Sequence, residues 1–192
     1  MLFRSDLPLG EAEKIFAISA ALKKYSGQRP RIVPEEEAGN GSFDYAISLL
    51  ADWTEGFSTI KSVEYPVDDD EPAAHVLQED AWQIYRQPAG VYLRLLEDTP
   101  ETSETLRVTY TAMHTCTDEA CTVPSYDEEA VQMLAASIFC DMLAAYYSQT
   151  SDGTIQADSV DHKSKAGEYA SRARSYRKIG RASCRERVYH PV

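Results

Sequence analysis

The chain has 192 residues, 43% of them hydrophobic, which is enough for one domain with a sizeable core. Its 19 lysine and arginine residues are outnumbered by 31 aspartate and glutamate residues, and the net charge is −12. That sign argues against binding to a nucleic-acid backbone, which requires clustered cations. No apolar run approaches the about 18 residues of a membrane span, and the first residues lack a secretory pattern. We therefore expect a soluble, cytoplasmic protein.

The first predicted element is a helix from about Leu9 to Tyr25. Its apolar residues recur at intervals of three and four, which is the pattern of one helix side. They are Leu9, Ala12, Ile15, Phe16, Leu22 and Tyr25, with the small Ser19 on the same side. Ser26 and Gly27 are expected to end the helix, since glycine readily adopts the left-handed conformation found there.

The middle of the chain, about 29–122, is predicted to be a β-rich insertion. Alternating runs at 42–48 and 58–67 indicate short strands, and Pro66 suggests that the second is an edge strand. The runs 91–96 and 105–111 are apolar or β-branched, and we expect them to form an antiparallel pair.

Two further helices are predicted after the insertion. A capping box, Ser125 to Glu128, precedes a helix over about 126–148 that is apolar on nearly every side and should therefore be central. A third helix, about 159–178, has Asp158 or Ser159 as its cap and a narrow stripe of alanine and tyrosine residues. The fold class is thus α+β, a small bundle of three main helices with a β-rich insertion between the first and second.

The last fourteen residues differ from the rest. The segment Ile179–Val188 resembles the translation of a common sequencing adaptor read through at the end of a gene fragment. The resemblance implies a non-native tail over 179–192 and a missing natural C-terminus. We expect the remaining residues, 1–178, to form a single domain that includes the β-rich insertion. Cys184 is accordingly given no functional weight.

The one metal-like cluster comprises His114, Cys116 and Cys121. A structural zinc site needs four ligands, usually with two cysteines two to four residues apart, so this cluster is incomplete unless Asp118 or Glu119 contributes. Cytoplasmic thiols are normally reduced, and we expect an exposed loop with free cysteines and neither a disulfide nor a metal.

Other chemically suggestive segments have structural interpretations. Cys140 lies in the most apolar helix and should be a buried core residue. The segment Asp158–His162 contains serine, aspartate and histidine, but it lies at a helix start, where capping explains it. Gly39–Ser42 lacks the lysine and serine or threonine of a phosphate-binding loop. The runs Glu35–Glu37 and Asp68–Glu71 lack the calcium-loop pattern and should be solvated loops. No catalytic, cofactor or metal residue is predicted.

Several aromatic residues cluster in the insertion. They can form the core of a β module or a partner-binding patch, because aromatic residues are enriched in both. We expect most to be core and one or two to lie at an interface. They are Trp53, Phe57, Tyr65, Trp82 and Tyr85.

The order of three motifs resembles the tailed-bacteriophage head–tail connector (adaptor, head completion) proteins. A strand ending in a Tyr-x-Ala element, Leu106–Ala112, is followed by Thr122-Val123-Pro124 and a long buried helix. The first helix leaves through Tyr25–Pro30, which is similar to the exit of the N-terminal helix in that family. The resemblance covers about Leu9–Tyr25 and Leu106–Lys178.

The resemblance implies a structural virion assembly protein that forms a homo-oligomeric ring and joins the portal to the tail. Its partners would be itself, the portal and the tail or neck proteins, while DNA passes without specific binding. It would need no cofactor, substrate or membrane, and would move from the host cytoplasm to the neck of the virion. The alternative is a small cytoplasmic binding module, with a metal in the Cys116/Cys121 loop as one version. An enzyme is the third hypothesis.

Overall fold

The computed structural model describes residues 9–68, 74–117, 119–149 and 162–185, the side chains of 162–164 and 181–185 excepted. The chain forms two compact units. The helical unit contains the described residues up to Tyr25 and from His114 onward, and the β unit contains 26–113. Three helices and two antiparallel sheets confirm the α+β class, with the β-rich segment between the first and second helices.

The helices are α1 (Glu11–Gln28), α2 (Ser125–Gln149) and α3 (His162–Arg185). Helix α1 continues through Ser26 and Gly27, so the predicted stop at these residues is wrong. The reason is local: Gly27 has an ordinary helical backbone, and nothing lies within 4 Å of the position of an added Cβ. The proposed caps of α3, Asp158 and Ser159, lie outside the described residues.

Helix α2 packs along α3 and supplies more buried residues of the helical unit than any other element. The two helices are antiparallel, since Gly180 of α3 lies against Ala130 near the start of α2 and Tyr169 stacks on Tyr147 near its end. By length and composition alone α2 could also cross a membrane, with a mean hydropathy of 1.3 over its best window. The expectation that no segment meets this criterion is therefore wrong, although a core helix meets it too.

The apolar residues of α1 lie on two sides of the helix. Ala17 and Ala21 are buried together with Tyr25, whereas Ile15 is 57% exposed and Phe16 60% exposed. The apolar side predicted from spacing is therefore only partly the buried one. The two alanines have small side chains, and Phe139 of α2 contacts Ala17. The larger side chains at 15 and 16 point away from this contact.

Six strands form the β unit in two three-stranded antiparallel sheets. One sheet has the order β1-β6-β3 and the other β2-β5-β4. The strands are β1 (Arg31–Ala38), β2 (Asp44–Ala46), β3 (Ile60–Glu64), β4 (Trp82–Gln87), β5 (Gly90–Leu95) and β6 (Thr105–Ala112). The strand β3 is an edge strand, as Pro66 indicated.

The pairing predicted between β5 and β6 is wrong. Strand β5 pairs with β2 and β4, and β6 lies between β1 and β3 in the other sheet. Strand β1 was missed because its run of glutamates reads as a solvated loop. In the structure Glu36 forms an ion pair with Arg107 of β6, which makes the acidic strand compatible with a sheet.

The core of the β unit is built from both sheets. Its fully buried side chains include Val63, Leu93, Leu106 and Tyr110. Three of the five aromatic residues singled out above pack against this core as partly buried side chains, so the expectation that most are core is confirmed. These three are Trp53, Tyr65 and Trp82.

Helix α3 extends seven residues beyond Lys178, into the segment that resembles an adaptor. Gly180 is buried there, and a Cβ added to it would lie 3.2 Å from the carbonyl oxygen of Ala130. The first residues of the segment therefore pack on α2, contrary to what a non-native tail leads one to expect. Its non-native origin stays a prediction.

Candidate interaction surface

The Cys116/Cys121 loop is closed covalently. The two cysteines form a disulfide and face each other in an isolated antiparallel bridge. The expectation of free thiols is therefore wrong. Nδ1 of His114 lies 2.9 Å from the carbonyl oxygen of Thr122, and the His114 ring contacts that of Tyr25. Oxidised cysteines offer no thiolate for a metal, and Asp118 lies outside the described residues.

The remaining chemical candidates do not converge on a site. Burial raises the pKa of the Cys140 thiol, and within the described residues no three His, Cys, Asp or Glu side chains are grouped as metal ligands would be. The segment 158–161 and the side chain of His162 lie outside the described part. In the loop 39–42, Oδ1 of Asn40 accepts a hydrogen bond from the Ser42 amide, so this polar group serves the turn itself.

The carboxylates of the first acidic run are structural. Glu35 accepts hydrogen bonds from the Tyr110 hydroxyl at 2.7 Å and from the Ala51 amide, while Glu36 pairs with Arg107. Glu37 is partly buried, which raises the pKa of its carboxyl group. The prediction of a solvated loop over Glu35–Glu37 is thus wrong. Of the second run, Asp68 alone is described.

An apolar groove of about 770 Å³ runs through the helical unit. All three helices and the disulfide contribute to its walls. The α1 wall includes Ile18 and Leu22, the α2 wall includes Val131 and Phe139, and α3 contributes Tyr169. Most of these side chains are apolar, so the groove is suited to apolar groups rather than to a polar substrate.

The charged residues of the groove lie toward its two ends. Helix α1 is antiparallel to α2, because Ala17 contacts Phe139 whereas Tyr25 bonds to Asp127 near the start of α2. Glu128 therefore lies at the end of the groove where α1 finishes. Arg172 lies toward the opposite end, near Cys140, and forms an ion pair with Glu168.

A second apolar surface lies on the outer side of α1. We call it the α1 ridge and define it as Ala12, Ile15, Phe16 and Ser19, all exposed. Ile18, which lines the groove, lies about 160° around the helix from Phe16, about 100° from Ser19 and only about 60° from Ile15. The ridge therefore lies beside the groove on α1, with Phe16 and Ser19 turned away from the groove and Ile15 at the shared edge.

Charge is distributed very unevenly along the chain. The segment 26–113 has six lysines and arginines against 17 aspartates and glutamates, whereas the rest has 13 against 14. Nearly all of the net charge therefore belongs to the β unit. The helical unit is almost neutral and is the part that can approach another copy without strong repulsion.

No model of a known protein family matches the chain, and a search of curated proteins found no match either. The surface therefore has to be interpreted from its own geometry. Sequence reasoning found the residues of the ridge but placed them on the buried side of α1. It missed the groove, because the groove depends on how three separated helices pack.

Proposed function

We propose that this protein is a structural virion assembly protein, a ring-forming head–tail connector that joins the portal of a tailed bacteriophage to its tail. The motif order that resembles this family supports the proposal. Strand β6 ends at Ala112, Val123 is buried, and α2 begins at Ser125, directly after Pro124. The strand, the Val-Pro step and the helix thus occur in the order that the resemblance requires.

The observation that carries the proposal is the coexistence of the α1 ridge and the apolar groove. Large exposed apolar patches usually mark interaction sites, since a stable monomer has no other use for them. Ile15 and Phe16 are large apolar side chains that are more than half exposed, and the apolar groove lies beside them on the same unit. A closed ring is built from two different surfaces on each subunit, so this arrangement supports ring formation.

The acidic β unit supports the part of the proposal that concerns DNA. With 17 acidic residues against six basic ones, it would repel the phosphate backbone. Several of its arginines are already paired with carboxylates: Arg94 with Asp44, and Arg107 with Glu36 and Glu64. DNA would pass such a surface without being held. The protein would act in the host cytoplasm during assembly and then in the neck of the virion, without cofactor or turnover.

The alternative is a small binding module whose groove holds an apolar ligand. The groove is the specific observation in its favour, since its volume and lining are typical of small-molecule sites. The form of this hypothesis in which the Cys116/Cys121 loop binds a metal is not supported, because the two sulfur atoms are bonded to each other in a disulfide. A binding module would remain monomeric and bind one ligand per chain, whereas a connector must oligomerise on a portal.

The test is reconstitution with the portal protein encoded by the same genome. The purified chain is mixed with the portal, and the complex is examined by mass measurement and electron microscopy. We expect a stoichiometric ring at one end of the portal, and a portal from an unrelated phage should give none. A phage without the gene should produce DNA-containing heads that lack tails. Normal infectious particles without the gene would refute the proposal.

A further inference from the structure

We infer that the groove of one subunit receives the α1 ridge of a second copy of the same chain. This rests on the proposed ring and names the contact that builds it. The two surfaces have the same chemistry: the ridge presents Ile15 and Phe16 to solvent, and the groove is lined by residues such as Ile18, Val131 and Phe139. Each would cover apolar area that the other leaves exposed.

The charges along α1 match those of the groove. On the side of the ridge, α1 has Glu11 one turn before Ile15 and Lys23 one turn after Ser19. A second α1 in the groove would place its acidic end at Arg172 and its basic end at Glu128. This orientation places Lys23 beside the unlike charge of Glu128, whereas the reverse orientation would bring Glu11 to Glu128. At the other end Arg172 and Glu11 already form ion pairs within their own chain, with Glu168 and Lys14.

The lengths agree as well. Glu11 and Lys23 are twelve positions apart, and so are Glu128 and Cys140, which is beside Arg172. At about 1.5 Å per residue both spans are about 18 Å. A helix that places Ile15 and Phe16 in the apolar middle of the groove therefore reaches both charged ends.

The contact is heterologous and can repeat. Phe16 and Ser19 of the ridge face away from the groove, so a subunit that inserts its ridge into one neighbour keeps its own groove open for another. Contacts of this kind generate a ring when the rotation closes. The near-neutral helical unit brings the copies together, and the strongly acidic β unit disfavours alternative contacts between β units.

Three variants of the full chain test the contact. The ridge variant, Ile15→Gln with Phe16→Gln, changes only exposed side chains. The groove variant, Ala136→Trp, fills the groove, and Arg172→Glu replaces it if the tryptophan prevents folding. The matched control, Ile32→Gln with Leu49→Gln, changes two equally exposed apolar residues of the β unit. Sedimentation velocity over a wide concentration range, with and without portal, measures assembly.

We expect the ridge variant and the groove variant each to weaken self-association by about 100-fold, and the control to leave it unchanged. Mixing the two variants leaves one intact ridge and one intact groove. The mixture should therefore form one-to-one dimers that grow no further, which an interface between identical patches would not produce.

The outcomes separate the contact from the function. A ridge variant that still forms rings on the portal would overturn the contact and leave the connector function standing. Wild-type chains that self-associate through the ridge yet ignore the portal would support the contact and refute the function. A chain that stays monomeric at every concentration and on the portal would overturn both.

Discussion

The hydroxyl group of Tyr25 donates a hydrogen bond of 2.7 Å to Oδ2 of Asp127, across 102 residues of chain. Both side chains are buried, and that of Asp127 is only 1% exposed. The bond joins the later part of α1 to the first turn of α2. A buried carboxylate needs such donors, because removing it from water without compensation is unfavourable. This bond therefore fixes α1 at the acidic end of the groove.

We expect Tyr25→Phe to lower the free energy of unfolding by about 1–3 kcal/mol, since it removes a donor from a buried carboxylate. Urea denaturation measures the change. Tyr176→Phe is the matched control: its hydroxyl has no hydrogen-bond partner among the described residues, and its loss should change stability by less than about 0.5 kcal/mol. Equal effects of the two changes would contradict the role given to Asp127.

Two phenylalanines on adjacent helices test which side of α1 belongs to the core. Phe139 of α2 is buried against Ala17 and Leu143, so Phe139→Ala should lower the free energy of unfolding by about 3–5 kcal/mol. Phe16→Ala should change it by less than about 0.5 kcal/mol, because Phe16 lies on the exposed ridge. Chemical denaturation of the dilute monomer measures both. A large loss with Phe16→Ala would place the ridge inside the fold.

The helices could be predicted because their signal is local. The capping box and the long stretch that is apolar on nearly every side predict the extent of α2 and its central place. The same periodicity could not say which side of α1 is buried, since α1 carries alanines on one side and Ile15 and Phe16 on another. Phe139 determines which side of α1 is buried. It lies more than a hundred residues further along the chain and packs against Ala17.

The sheets were harder to predict because their partners are distant in sequence. Neighbouring runs suggested a pair between β5 and β6, but β6 takes β1 on one side and β3 on the other. The acidic β1 is compatible with a sheet only through Arg107 and Tyr110 of β6, more than 70 residues away. The groove likewise exists only once three helices are packed together.

Gly39 is expected to tolerate no side chain. A Cβ added at this position would lie 1.9 Å from the carbonyl oxygen of Glu101, a backbone atom that cannot move aside cheaply. Gly39→Ala should therefore lower the melting temperature by several degrees, corresponding to about 1–3 kcal/mol. Gly27→Ala is the control, as it adds a methyl group to open space in α1 and should be neutral or stabilising by up to about 1 kcal/mol.

Tyr110 should contribute to a loss of stability at alkaline pH. Burial, and then its hydrogen bond to Glu35, raise the pKa of the Tyr110 hydroxyl from 10.0 to about 12. Because the folded state holds this proton more tightly than the unfolded state, the protonated Tyr110 hydroxyl adds to the free energy of unfolding, and this contribution is complete below about pH 10. It is lost as the pH rises through about 12.

The measurement is the free energy of unfolding between pH 9 and 12, followed by denaturant titration. Tyr110→Phe should reduce the pH dependence in this range, and a spectrophotometric titration should show one late-ionising tyrosine fewer. Tyr176→Phe again serves as the control. If the free energy of unfolding of the Tyr110→Phe variant depended on pH in the same way as that of the wild type, the raised pKa of Tyr110 would be contradicted.

The last prediction concerns the end of α3. The helix runs to Arg185, and Gly180 lies against Ala130 of α2, so the residues directly after Lys178 contribute to packing. A chain shortened after Lys178 should melt a few degrees lower than the full chain, because it loses this contact and the last turns of the helix. A chain shortened after Arg185 keeps both and should melt at the same temperature. Circular dichroism measures both the melting temperature and the helix content.

If the two shortened chains were equally stable, residues 179–185 would add nothing to the fold, as the resemblance of this segment to an adaptor implies. Gly180→Leu in the full chain separates these cases, since it should destabilise the protein only if α3 approaches α2 closely at this residue.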